Sequence, residues 1–183
     1  MRKIPTLFQR EFDQQEVSAL PMKRMILCGD LSACEDEGNA EDCIRLKLCD
    51  VQGRLFRIST AYASESFIRN FMFSEVARHL DSPYSKLQCV GEEYLLEELE
   101  DERNLSRDGE KYDPEVLYWI GYLYRYWACY RHVSSKAIFK TAPAKTMKRN
   151  YQPFHALDPD VAIDNLIEIR EQLIQEQRAG ETV

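Results

Sequence analysis

At 183 residues and 44% hydrophobic content, the chain is long enough to bury a core without disulfide or metal staples, and its 30% charged content is ordinary for a globular protein. No apolar h-region follows Met1. The longest apolar run, Val116 to Tyr130, is interrupted by Arg125 and too short for a bilayer, so neither signal peptide nor transmembrane span is expected and the cytoplasm is the expected location. The net charge of −7 conceals a segregation: seven of the 24 basic residues, and none of the 31 acidic ones, lie between Val116 and Leu157.

In chain order, Met22 to Cys28 is a short apolar run ending at Cys28-Gly29-Asp30, and the acidic stretch from Ala33 to Asp42 has the composition of a solvated loop. Ile44, Leu46 and Leu48 then alternate with Arg45 and Lys47, a period of two that predicts a half-buried strand. Asp50-Val51-Gln52-Gly53 reads as a turn and Leu55 to Ser59 as the returning strand of a β-hairpin. The pattern afterwards is helical. Ser64 is placed to cap a helix through Phe67, Ile68, Phe71, Met72 and Val76 to about Leu80. Gly91 to Asp101 predicts a second helix with a Glu-rich face, in a block (92–115) holding 11 acids. Asp113-Pro114-Glu115 is a helix start: Asp caps, proline suits the first turn, and the early acid complements the helix dipole.

The helix that follows carries Tyr118-Trp119-Ile120-Gly121-Tyr122-Leu123-Tyr124-Arg125-Tyr126-Trp127 and runs to about His132. Aromatics on nearly every side suit a helix central to the fold. Ser134-Ser135 predicts a short helix to Lys140 or Thr141, and a second runs from Pro143 to about Tyr151. Asp158-Pro159 opens an amphipathic terminal helix bearing Val161, Ile163, Leu166, Ile167, Ile169 and Leu173. The expected fold is therefore α+β, with a β-rich part over residues 1–60 packed on a helical part over 61–183, the seam lying around Ser59–Ser64.

Little in the sequence argues for chemistry. Cys28, Cys34, Cys43 and Cys49 are spaced C-x5-C-x8-C-x5-C, looser than the two-to-four-residue pairs of structural zinc sites, so reduced thiols and no metal are expected. Cys129 and His132 stand three apart, the minimum for a thiolate–imidazole pair, but no third group or oxyanion site accompanies them. The glycines are scattered singly, which leaves no phosphate-binding loop. No cofactor and no catalytic residue is assigned.

Binding has more support. Residues 135–150 read as helix, turn, helix. Lys145, Lys148 and Arg149 lie on the second helix, with Thr146 and Asn150 as candidate base readers, so a DNA-binding regulator is one reading. The same cations, with Tyr151 and Phe154, suit an acidic protein surface, because Arg and aromatic anchors are enriched in interface hot spots. A third reading docks the basic window onto the chain's own Glu-rich block.

Two stretches carry a resemblance. One is Tyr118 to Trp127. The other comprises Ser134-Ser135-Lys136 through Tyr151, then Phe154-His155-Ala156-Leu157-Asp158 and Ala162-Ile163-Asp164-Asn165-Leu166. Together they resemble small bacterial helical proteins of uncharacterised families encoded beside toxins, including ADP-ribosyltransferase-like toxins. The resemblance covers about the last 70 residues. It implies an antitoxin-like role, neutralisation of a toxin by tight binding, with Tyr151 and His155 as matching positions. The expected function is non-catalytic binding of an acidic protein partner, with a cognate toxin as the implied one. The expected contact residues are Arg125, Lys136, Lys145, Lys148, Arg149, Tyr151 and His155.

Overall fold

The computed structural model describes residues 37–82 and 85–180, and among them every regular element is a helix. In chain order these are α1 (Glu37–Ile58), α2 (Ser64–Met72), α3 (Glu75–Asp81), α4 (Glu92–Glu102), α5 (Pro114–Arg131), α6 (Ser135–Thr141), α7 (Ala144–Phe154) and α8 (Pro159–Gly180). Two short 3-10 turns, Ser59–Ala61 and Lys86–Cys89, follow α1 and α3. The described residues belong to one compact unit. No helix among the described residues is long and apolar enough to cross a membrane.

The α+β expectation is overturned at the predicted hairpin, because residues 44–59 continue one helix and its terminal turn. The Ile44/Leu46/Leu48 alternation is too short to separate period 2 from period 3.6, and Leu46 is in fact 44% exposed. The burial that decides the element falls on Leu48, Cys49, Gln52, Leu55, Phe56 and Ser59, the three- and four-residue spacing of one helical face. Gly53, read as a turn glycine, is instead a packing glycine. A Cβ there would lie 2.8 Å from the Tyr118 ring of α5. Within the stretch read as a loop, Glu37 to Asp42 form the first turns of α1, where negative charge favours the helix dipole. The predicted Met22–Cys28 run lies outside the described residues.

α1 and α5 form the axis of the fold. They run antiparallel: Arg45 meets Tyr130, Gln52 meets Gly121 and Arg57 meets Glu115. Gly121 permits the approach, since a Cβ there would come within 2.5 Å of the Gln52 carbonyl oxygen. Around this pair gather Phe56, Phe67 and Phe71, with Phe56 edge-on to the other two at 5.5 and 5.1 Å between ring centroids. Leu95, Leu99, Leu117, Ile120, Ile138, Met147, Ile163 and Leu166 complete the core, so α4, α6, α7 and α8 each contribute.

The single helix expected over 64–80 is broken in two. Ser74 accepts from the Ala77 amide at 3.0 Å and donates to the Phe71 carbonyl at 2.7 Å, ending α2 and starting α3 in one residue. Glu102 reinforces the start from the end of α4, its carboxylate accepting from the Glu75 amide at 2.9 Å. Ser64 does not cap α2. Its hydroxyl accepts from the Tyr112 amide at 2.8 Å and ties the chain before α5 to the start of α2. The Asp113-Pro114 start is as read, with Asp113 accepting from the Glu115 amide at 2.9 Å. α5 ends at His132, whose φ of 52° is left-handed and so stops the helix.

Candidate interaction surface

The seven expected contact residues divide between the interior and the surface. Arg125 is not on a surface at all: it is 0% exposed. Its Nε donates to Gln52 Oε1 at 2.8 Å, and one terminal nitrogen donates to Asp81 Oδ1 at 2.8 Å. Gln52 passes the connection on by donating to the Gly121 carbonyl at 2.9 Å. Asp81 completes it by accepting from the Ser135 amide at 2.8 Å and the Ser135 hydroxyl at 2.7 Å. One guanidinium thus joins α1, the end of α3, α5 and the start of α6. A buried cation is tolerated when an anion and directed acceptors surround it, as here.

The other six lie on α6, α7 and the turn after them. Lys136 is exposed, with its ammonium 5.7 Å from the Phe73 ring centroid. Lys145 approaches Glu65 at 3.6 Å with its side chain 79% exposed, a pair that solvent screens strongly. Lys148 is paired with Glu110 and sits 4.6 Å over the Tyr112 ring. Arg149 is exposed on α7, and among the described residues neither it nor Lys136 nor Lys140 has an acidic partner. The internal-pairing expectation is therefore met only at Glu110, beyond the Glu-rich helix; α4 itself packs on α1 and α3.

Beside these cations is an aromatic cluster. Tyr151 packs edge-on against Trp119 of α5 at 5.6 Å and stacks on His155 at 4.8 Å. The His155 ring is fixed further by Nδ1, which lies 2.9 Å from the Gln152 carbonyl oxygen and 3.1 Å from that of Tyr151. Two carbonyls require Nδ1 to donate, so the neutral ring presents Nε2 as an acceptor. Leu157 and Val161 follow at the α7–α8 corner, 40% and 48% exposed. Residues 136–161 therefore carry held aromatic rings, two exposed aliphatic side chains and cations without an acidic partner among the described residues.

The helix-turn-helix order expected over 135–150 is present as α6 and α7. Its proposed base readers are turned aside. Asn150 donates to the Thr146 carbonyl at 2.8 Å within the same helix, and Thr146 is half-buried. Glu65 and Glu110 also place negative charge next to Lys145 and Lys148, where a phosphate would have to sit.

A second feature went unread in the sequence. Tyr118, Tyr122, Tyr126 and Tyr130 form a ladder along one side of α5, stacked at 6.1, 6.5 and 4.2 Å. Its phenols reach both neighbours: Tyr118 donates to Asp50 of α1 at 2.7 Å, and Tyr126 donates to Asp160 of α8 at 2.9 Å. Burial, with the Asp50 carboxylate beside it, pushes the Tyr118 phenol up to about 12. The four-residue spacing was visible, but the hydroxyl partners are remote in sequence.

The cysteines take different places from those considered. Cys28 and Cys34 lie outside the described residues, while Cys43 and Cys49 share α1; among the described residues no three His, Cys, Asp or Glu side chains are grouped to hold a metal ion. His132 is exposed at the end of α5, while Cys129 is half-buried. No protein-family model, curated protein or solved structure matches the chain. The architecture and the surface chemistry alone define the class: an all-helical fold, over the described residues, with a segregated basic and aromatic face.

Proposed function

We propose that the chain is a non-catalytic, cytoplasmic protein-binding protein, antitoxin-like in class, that neutralises an acidic protein partner by covering it with the α6–α7 face. One observation carries the reading. Lys136, Lys140 and Arg149 are cations without an acidic partner among the described residues, on α6 and α7, and α7 also carries Tyr151, which packs against Trp119 and stacks on His155. Preordered aromatic and Arg side chains lose little entropy on docking, which is why such residues dominate binding energy at interfaces. Leu157 and Val161 supply the apolar contact that a purely electrostatic surface lacks. A cognate toxin fits as the partner because the resemblance of the C-terminal region points the same way.

The test is co-purification from the native host at low and high salt, with and without nuclease, for the wild type and for Arg149→Glu/Tyr151→Ala. A protein recovered in stoichiometric amount, resistant to nuclease and lost from the double variant, supports the proposal. Nucleic acid recovered only at low salt transfers the face to a DNA-binding role, because counterion release makes such binding steeply salt-dependent. Recovery unchanged by the double variant removes the face from the function.

A further inference from the structure

We propose, resting on the partner-binding role above, that the groove between α2 and the α6–α7 junction takes an extended segment of the acidic partner, seating one apolar side chain on its floor and a neighbouring carboxylate at Arg69. The groove has a volume of about 740 Å³, within the range of about 300–1,000 Å³ found for ligand sites. Ala63, Phe139, Pro143 and Ala144 give it an apolar lining, and Arg69 and Lys145 stand exposed along it. A groove open to solvent on one side suits an extended chain that lays down alternate side chains.

The floor is rigid and continuous with the cations of α6. Ala63 and Ala144 are 5% and 3% exposed, and their small side chains leave the space above them open. Phe139 packs edge-on against Phe73, at the end of α2, with 5.6 Å between ring centroids. The Lys136 ammonium stands 5.7 Å from the centre of that same Phe73 ring, close enough for a cation–π contact. Lys140 follows Lys136 by one turn of α6, next to Phe139. The paired rings of Phe73 and Phe139 thus join the groove to the positive surface.

Charge decides the occupant and how it lies. Arg69, like Lys136 and Lys140, has no acidic partner among the described residues. Glu65, one turn before it on α2, is engaged elsewhere: it accepts from the Tyr112 hydroxyl at 3.1 Å and lies 3.6 Å from the Lys145 ammonium. Glu110 is paired with Lys148, and Asp108 is exposed beside it. The sign of the field therefore changes along α2, from Glu65, Asp108 and Glu110 at one end of the groove to Arg69 and Lys136 at the other. A carboxylate is attracted at the Arg69 end and repelled at the Asp108 end, so the acid sits on one side of the apolar side chain only. A run of phosphates would meet both ends, which disfavours nucleic acid. Solvent weakens each exposed ion pair, and the apolar contact supplies the remaining selectivity.

The experiment titrates two capped pentapeptides, Gly-Glu-Leu-Gly-Gly and Gly-Gly-Leu-Glu-Gly, into the full isotope-labelled chain at millimolar concentration and follows amide chemical shifts by NMR. The expected result is saturable shifts confined to the groove residues, stronger for one of the two orders. Exchanging the peptide glutamate for glutamine, or Arg69→Gln in the protein, is expected to weaken binding about threefold to fivefold. Arg69 is exposed and without an acidic partner, so Arg69→Gln is expected to keep the helical circular dichroism of the wild type. Shifts from neither peptide, shifts outside the groove, shifts indifferent to the glutamate, or equal shifts from a short oligothymidylate overturn the proposal. Partner recovery separates this inference from the role on which it rests. Recovery reduced by Arg69→Gln/Lys136→Gln supports the groove. Recovery lost in Arg149→Glu/Tyr151→Ala but unchanged in Arg69→Gln/Lys136→Gln keeps the α6–α7 face and removes the groove, and recovery unchanged in both removes both.

Discussion

Replacing Arg125 with methionine removes the cation that joins four helices and leaves its partners in place. Its two short bonds, to Gln52 and Asp81 at 2.8 Å each, are charge-assisted, whereas the 3.4 Å contact to the Ser135 hydroxyl adds little. Bonds to a charged group contribute about 1.5–3 kcal/mol each, and removing one partner of a buried ion pair costs about 3–5 kcal/mol in total. Asp81 is 19% exposed and keeps its two bonds from Ser135, so water relieves part of its loss; the lower half of that range, about 3–4 kcal/mol, is expected. A domain with about 5–15 kcal/mol of total stability would remain folded, but with a much lower urea midpoint. Equilibrium urea denaturation of wild type, Arg125→Met, Asp81→Asn and the double variant measures both the cost and the coupling. The double variant is expected to lose less than the sum of the singles, because Asp81→Asn removes the charge that Arg125→Met strands. Arg125→Lys is expected to fall near methionine, since one ammonium cannot reproduce a fork that serves Gln52 and Asp81 together. A loss below about 1 kcal/mol for Arg125→Met, with additive singles, would refute the reasoning.

Gly121→Ala is expected to destabilise by about 2 kcal/mol despite alanine's better helix propensity, because its Cβ meets backbone at 2.5 Å; thermal melting measures it. Gly53→Ala meets only the movable Tyr118 ring and is expected to lose less, with the Asp50–Tyr118 bond as the part surrendered. Ser74→Ala is expected to lose about 1 kcal/mol through the missing cap, read as a lower urea midpoint at unchanged slope. Arg149→Glu is expected to leave stability within about 0.5 kcal/mol of wild type while abolishing partner recovery. For pH, the Tyr118 phenol is raised in the folded state, so its contribution is complete below the unfolded tyrosine pKa of about 10 and is lost as pH rises through about 12. Stability flat in this group from neutrality to about pH 9.5 and falling beyond it, with a smaller fall in Tyr118→Phe, is the expected urea-midpoint profile.

The parts of this fold that were legible in the sequence are those fixed by local chemistry. Asp113-Pro114 and Asp158-Pro159 open helices in one residue step, and Ser134 and Pro143 delimit α6 and α7 because caps and prolines act on their own turn. What was illegible depends on partners distant in the chain. Gly53 looks the same in a turn and in a helix; only Tyr118, 65 positions away, decides between them. Arg125 looked like part of a basic surface because its charge was counted and its register was not. It follows Leu117 and Gly121 at four-residue intervals on the buried face of α5, so the interior position could have been inferred, though not that Asp81 would neutralise it. Of the expected contact set, charge alone located Lys136 and Arg149 on the surface, while the rings of Tyr151 and His155 gain their fixed orientation from Trp119 and from carbonyls of α7.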